Sequence, residues 1–306
     1  MIRIKRILCP TDLSSESDEA LRYAVALASA YKAKLCLLYC KEANSNGHEN
    51  APGREFSSLF TESLATHLGL ADFCDLNWEG LVARNVLDVG RAIVQEAAKQ
   101  KADLIVMRSR RRPHVAALLG STAETVSRTA PCPLLVTHPG QREWVGLSTG
   151  EIDLHRVLVA YDFSSDSELA LNSGLSLAQE YQAELHLLHV LTRTEQEEPE
   201  FAWAQGTENS YTIAARKLQR AISPEISLWC KVVNAVRRGR VYKEVLAYAN
   251  EHEIDLICMG ASGSDFSVGA LFGSNVDRVL RQAQCPVLVA RPNKPAEPGL
   301  QQGENS

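Results

Sequence analysis

The chain has 306 residues, of which 45% are hydrophobic and 23% charged, with a formal net charge of −5. That length suits two globular domains of ordinary size, and the acidic balance excludes a dedicated nucleic-acid binder with a basic face. No apolar run approaches the roughly 18 residues of a membrane span, and the opening "MIRIKRILCP" enters a strand pattern with no signal-peptide core, so a cytoplasmic protein is expected.

The first predicted element is a β-rich run, "RILCPT", that ends at Asp12 and leads into a serine cluster and an amphipathic stretch at helical spacing, with Ser14 as the expected N-cap. A second strand, "KLCLLYC", follows. A polar connection over 41–55 reads as a surface loop, then comes a helix, and the third strand holds Trp78. Next are a helix at "AIVQEAAKQ", a fourth strand at "DLIVM", the loop "RSRRRPHVAALLGST", a last helix, and a fifth strand after Cys132-Pro133.

The second half repeats this order. Shifting the sequence by 150 aligns residues 6–40 with 156–190 at 15 identities in 35 positions, and shifting by 153 aligns 120–136 with 273–289 at 9 in 17. One domain has therefore been duplicated. Strands alternating with helices imply two tandem doubly wound α/β domains, each a five-stranded, mostly parallel sheet flanked by helices, and 3-2-1-4-5 is taken as the strand order of each. The expected boundaries are 1–138 for domain 1, 139–154 for a linker, 155–292 for domain 2 and 293–306 for a disordered tail. In domain 2 the N-cap is Ser164, the polar loop spans 191–208, and Trp229 lies in the third strand. Both tryptophans are read as packing residues. The eight cysteines include no CxxC pair, and most sit in apolar strand-like runs, so they are read as buried free thiols.

In an open parallel sheet, ligands sit beyond the carboxyl ends of the strands where the strand order reverses, which here lies between strands one and four. Asp162 ends strand one of domain 2, and "GASGSDFSVGALFGSN" follows strand four. Gly260 and Gly263 permit positive φ and close approach of backbone to ligand, while Gly273, Ser274 and Asn275 open the final helix with unpaired amides. Such a site suits a polyphosphate. There is no Walker lysine and no GxGxxG after strand one. Glycines after a strand also make ordinary turns, so this reading rests on the full spacing G-x2-G-x9-G-[ST].

With the strand-one Asp and serine cluster, "DLICMG" and "CPVLV", this motif resembles the universal stress protein family, specifically its tandem members. The resemblance implies an adenine nucleotide alpha hydrolase-like fold and ATP, with or without Mg2+, in domain 2. It further implies ligand contacts at Asp162, Val190, Gly260, Gly263, Gly273, Ser274 and Asn275, with Ala160 and Met259 lining the base pocket. Nucleotide is expected to act by ordering the 261–272 loop, for a stress-response regulator that works through a protein partner or self-association. The fifth strands are expected to pair within the chain or between two chains of a homodimer.

Domain 1 departs from the motif. Arg108 stands at the Gly260 position and Arg111 at the Gly263 position, and the following stretch is one residue shorter. Bulky side chains there fill the space a phosphate needs, so no nucleotide is expected in domain 1. Arg108, Arg110, Arg111 and Arg112 form either a solvated charged loop or an anion site of their own. His186 and His189, three apart on a strand, point to opposite faces and share no metal. Asp265 is read as a turn residue. No catalytic signature appears, which leaves an interaction scaffold without nucleotide, or a slow ATPase, as alternatives to an ATP-binding regulator.

Overall fold

The computed structural model describes residues 3–14, 16–43, 76–109, 120–137, 142–146, 150–192, 209–262 and 273–293. In domain 1 the elements are β1 (Arg6–Thr11), α1 (Asp18–Tyr31), β2 (Lys34–Glu42), β3 (Trp78–Val86), α2 (Val89–Gln100), β4 (Leu104–Arg108), α3 (Ser121–Thr129) and β5 (Leu134–Thr137). Domain 2 repeats them as β6 (Arg156–Ala160), α4 (Ser165–Tyr181), β7 (Glu184–Leu191), α5 (Ser210–Ala221), β8 (Val232–Arg238), α6 (Val241–Glu251), β9 (Leu256–Gly260), α7 (Ser274–Gln282) and β10 (Val287–Ala290).

The ten strands form one sheet in the order β3-β2-β1-β4-β5-β10-β9-β6-β7-β8. Each half has the expected order 3-2-1-4-5. All pairings are parallel except β5 with β10, which run antiparallel with Val136 opposite Val287 and Leu134 opposite Val289. The fifth strands thus pair within the chain.

Side chains alternate across the strands and both faces of the sheet are covered, which is why the strands read as continuous apolar runs. Helices α1, α4 and α5 close one face over Ile7, Cys9, Val157 and Val159. Helices α2, α3, α6 and α7 close the other over Leu8, Ile105, Leu158 and Ile257. Seven described cysteines are free, and all but Cys40 are buried. Burial pushes the thiols of Cys9 and Cys132 up to about 12, so they act as small apolar packing groups.

The duplication persists at the level of backbone strain. Left-handed residues recur as Leu13 and Phe163 after strand one, Lys32 and Gln182 after the first helix, and Lys101 and Glu253 before strand four. Asp103 Oδ2 accepts from the Lys5 and Arg6 amides at 2.8 and 2.9 Å, and Asp255 Oδ2 does the same for His155 and Arg156 at 3.0 and 2.8 Å. These two acids are structural ties between the fourth and first strands.

Three local expectations are corrected. Helix α1 begins at Asp18 with Ser17 at its N-cap, one turn later than the expected Ser14. Trp229 precedes β8 and is 41% exposed, so it is neither within the strand nor a packing residue. Within the linker, Trp144 and Val145 are 2% exposed, and Val145 bridges Ile152.

Polar contacts seal the seam between the halves. Arg291, just beyond β10, donates through Nη1 to the Ala130 carbonyl at 2.9 Å and through Nη2 to the Ser127 carbonyl. Those carbonyls belong to the carboxyl end of α3, where a cation is favoured. Arg291→Met keeps the aliphatic stem and loses both bonds, so it should lower the unfolding free energy by about 2 kcal/mol. Urea denaturation of the full chain followed by far-UV circular dichroism reads this loss.

Candidate functional site

The domain 2 cleft lies at the carboxyl ends of β6 and β9, which pair with Ala160 opposite Met259. Past β6 the chain turns through Asp162 and the left-handed Phe163. Asp162 Oδ1 accepts from the Ser164 amide at 3.1 Å and from its hydroxyl at 2.5 Å, and Ser164 Oγ in turn accepts from the Ser167 amide. This chain of bonds caps α4 and fixes the Asp162 carboxylate at the mouth of the cleft.

Gly260 ends β9 against the first turn of α4. A Cβ there would lie 2.5 Å from the Asp166 carbonyl carbon and 2.7 Å from the Ser167 nitrogen. Its φ is not positive. The glycine is therefore required by close approach of the α4 backbone, where the sequence suggested positive φ toward a ligand. Beside it the Ser262 amide donates to Asp166 Oδ2 at 3.0 Å, a contact that sequence reading missed although Asp166 sits among the serines that follow Asp162. Gly273 is the N-cap of α7 at φ −76°, and its amide donates to the Ala261 carbonyl at 2.9 Å. That bond brings together the two ends of the connection from β9 to α7.

No side chain caps α7, whereas Ser164 caps α4 and Asn209 caps α5. The amides of Ser274 and Asn275 thus stand in the first turn of a helix whose N-cap residue carries no side chain, a suitable place for an anion. Val190 and Met259 are buried, and with Ala160 they join one apolar cluster that also includes Ala235 and Val241. Gly263, with Asp265, lies outside the described residues.

The domain 1 cleft is built differently. Four of its residues are polar where domain 2 has Gly260, Ala261, Ala290 and Leu169, namely Arg108, Ser109, Thr137 and Glu19. Arg108, with 16% of its side chain exposed, pairs with Glu16 at 3.1 Å and Glu19 at 3.4 Å. Its guanidinium is held by carboxylates of this chain. Arg110, Arg111 and Arg112 lie outside the described residues. A side chain stands at Arg108 where domain 2 has Gly260, and α1 starts a turn later than α4 does. Gly120, the counterpart of Gly273, takes φ 87°.

Comparison with known proteins agrees with this geometry. A model of the universal stress protein family matches residues 3–138 and again 154–291. The chain belongs to the universal stress protein family. It is similar to a universal stress protein of Mycolicibacterium smegmatis, 26% identical over 94% of this chain and 97% of that one. One of its halves is similar to universal stress protein MJ0531 of Methanocaldococcus jannaschii, 31% identical over 45% of this chain and 85% of that one. A universal stress protein structure from Archaeoglobus fulgidus covers 96% of this chain and all of its own, at 20% identity and a TM-score of 0.62, which shows the shared fold.

The histidines lie on opposite faces of β7 as expected. His186 Nδ1 meets the Tyr248 hydroxyl of α6 at 2.9 Å, and burial lowers its pKa. His189 Nδ1 donates to the Tyr161 carbonyl at 2.8 Å and its ring packs on Phe163 at 4.7 Å, which places it behind the cleft as a packing group. Among the described residues no three acids, histidines or cysteines are grouped to hold a metal, and no helix is long and apolar enough to cross a membrane.

Two measurements test this site. Gly260→Ala should destabilise the protein by about 2 kcal/mol through overpacking against α4, read as a lower urea midpoint. In domain 1, burial raises the Glu19 carboxyl to about 7, against the lowering effect of Arg108, with Glu143 adding to the rise. A raised carboxylate contributes stability that is full below its unfolded value and lost as pH climbs through the folded one. Unfolding midpoints of the wild type should therefore fall between pH 4.5 and pH 7. Glu19→Gln should flatten the profile across that interval.

Proposed function

We propose that the protein is an ATP-binding regulator of the stress response, with one nucleotide held in the domain 2 cleft and none in domain 1. The contrast between the duplicated clefts carries this reading. Domain 2 keeps the glycine that lets α4 close in, the uncapped start of α7 and an apolar wall of Ala160, Val190 and Met259. Domain 1 has Arg108 at the Gly260 position, paired with Glu16 and Glu19.

In this reading the adenine lies against Ala160, Val190 and Met259, with backbone at Val190 recognising its edge and Asp162 at the same side of the cleft. The phosphates meet the amides of Ser274 and Asn275 and the Ser274 hydroxyl, together with Gly263. Mg2+ supplies the remaining positive charge, because the cleft motif lacks the lysine of a Walker loop. The bound nucleotide biases a surface for a partner protein or a second copy, which requires different affinities for two states of that surface. Turnover is not part of the function.

Calorimetry of the full chain with ATP and Mg2+ tests this directly. Wild type should bind, and Gly263→Arg should weaken binding by at least about a hundredfold, the equivalent of two tenfold steps of about 1.4 kcal/mol each. Arg108→Ala in domain 1 should leave the affinity unchanged. Absence of ATP binding in the wild type would leave an interaction scaffold as the function. Phosphate release scaling with protein and lost in Asp162→Ala would make it an ATPase.

A further inference from the structure

Three consecutive linker residues fasten the two halves together. The Arg142 amide donates to the Gln284 carbonyl at 3.1 Å and its guanidinium to the Ile254 carbonyl at 3.3 Å, both in domain 2 just ahead of β10 and β9. Glu143 pairs with Arg22 of α1 at 3.2 Å, and the Trp144 amide donates to the Tyr23 hydroxyl of α1 at 3.2 Å. The linker thus grips domain 2 with one residue and domain 1 with the next two. At the positions of Arg22 and Tyr23, α4 carries Asn172 and Ser173, which offer neither the cation nor the phenol.

The grip on α1 belongs to a larger charged cluster. One turn before Arg22 and Tyr23 stands Glu19, where α4 has Leu169. The groups around it are Glu16, Arg22 and Tyr23 of α1, Arg108 at the end of β4, Glu143 of the linker, and Thr137 of β5, which does not titrate. Among the described residues three carboxylates of this cluster share two guanidiniums. Arg22 is taken by Glu143, and Arg108 is divided between Glu16 and Glu19. One carboxylate is surplus. It is Glu19, whose side chain is 11% exposed against 68% for Glu16 and 27% for Glu143. A carboxylate that has left water for half of one partner holds its proton tightly. Burial accordingly raises the Glu19 carboxyl to about 7, Arg108 opposes the rise, and Glu143 adds more to it than Arg22 removes.

We propose that residues 142–144 form a proton-operated clasp between the halves, closed while Glu19 carries its proton and loosened when that proton leaves. With the carboxyl neutral, Arg22 serves Glu143 alone. The carboxylate repels Glu143 and draws on Arg22, so the pair between them weakens and the adjoining Trp144 amide parts from Tyr23 more often. A raised folded-state pKa stabilises at low pH and ceases to do so as pH climbs through it, so the clasp is tight on the acid side of about pH 7 and loose on the alkaline side. The proton passes to solvent, and no covalent bond changes. Since Arg108 belongs to the same cluster, the domain 1 cleft and the seam respond to one proton. The device stands apart from the domain 2 cleft and does not rest on nucleotide binding.

Hydrogen exchange of the ¹⁵N-labelled full chain, corrected at each pH for the intrinsic rate, tests the clasp. Between about pH 6 and about pH 8 the protection of the Trp144 amide should fall about tenfold, the size of one pKa unit of coupling. It should also stay below the protection of the Leu158 amide in the buried strand β6. Glu19→Gln keeps the shape of the carboxyl without its charge and should hold Trp144 at its acid value throughout. If that variant does not fold, Glu19→Leu carries the residue that α4 has at this position and should do the same. Glu143→Gln removes the repelled charge, so the protection of Trp144 should no longer depend on pH over that range. Equal protection of Trp144 and Leu158 at every pH would mean that the linker opens only with the whole fold, and would overturn the proposal. So would a wild-type Trp144 protection independent of pH, or a fall that persists in Glu19→Gln.

Discussion

The antiparallel pairing of β5 with β10 is the constraint on which the architecture depends. Each strand has four residues, all buried, and each would be an exposed apolar edge of its own domain. Pairing them removes both edges and joins two five-stranded sheets into one of ten strands. It also sets the approximate twofold relation between the halves. From that relation follow the Arg291 contacts to the end of α3, the burial of Trp144 between α1 and α4, and the placing of the two clefts on the same sheet.

Within that shared frame a single position separates the clefts. At Gly260 the helix backbone of α4 approaches so closely that no side chain fits, and Asp166 reaches across to the Ser262 amide. At Arg108 a side chain is present, α1 starts a turn later, and Glu16 and Glu19 hold the guanidinium. The polar replacements at Glu19, Ser109 and Thr137 surround the same point, so the difference is a local rebuilding and not one substitution. Domain 1 keeps the fold because its strands, ties and helix ends are those of domain 2.

Much of this was legible in the sequence. The duplication and the opposite faces of His186 and His189 follow from repeats and periodicity, which depend on local patterning, whereas the 3-2-1-4-5 order was an assumption about the fold class. What escaped depends on contacts between distant elements. The reason for Gly260 lies in α4, 94 positions earlier at Asp166, and its glycine is as compatible with a ligand as with a helix. The α1 start was misplaced because Ser14 and Ser164 are equivalent in sequence, while only Ser164 caps its helix. Trp144 lay in a stretch whose polar neighbours suggested a simple linker, and it is buried against Tyr23 of α1. Trp229 followed its counterpart Trp78 in the pattern but stands outside the strand.

A crystal structure grown with saturating ATP and Mg2+ tests the central claim most directly, because it examines both clefts in one molecule. The account predicts nucleotide density against Met259 and the first turn of α7, with Arg108 still paired to Glu16 and Glu19. Density in the domain 1 cleft, or none in that of domain 2, would contradict it.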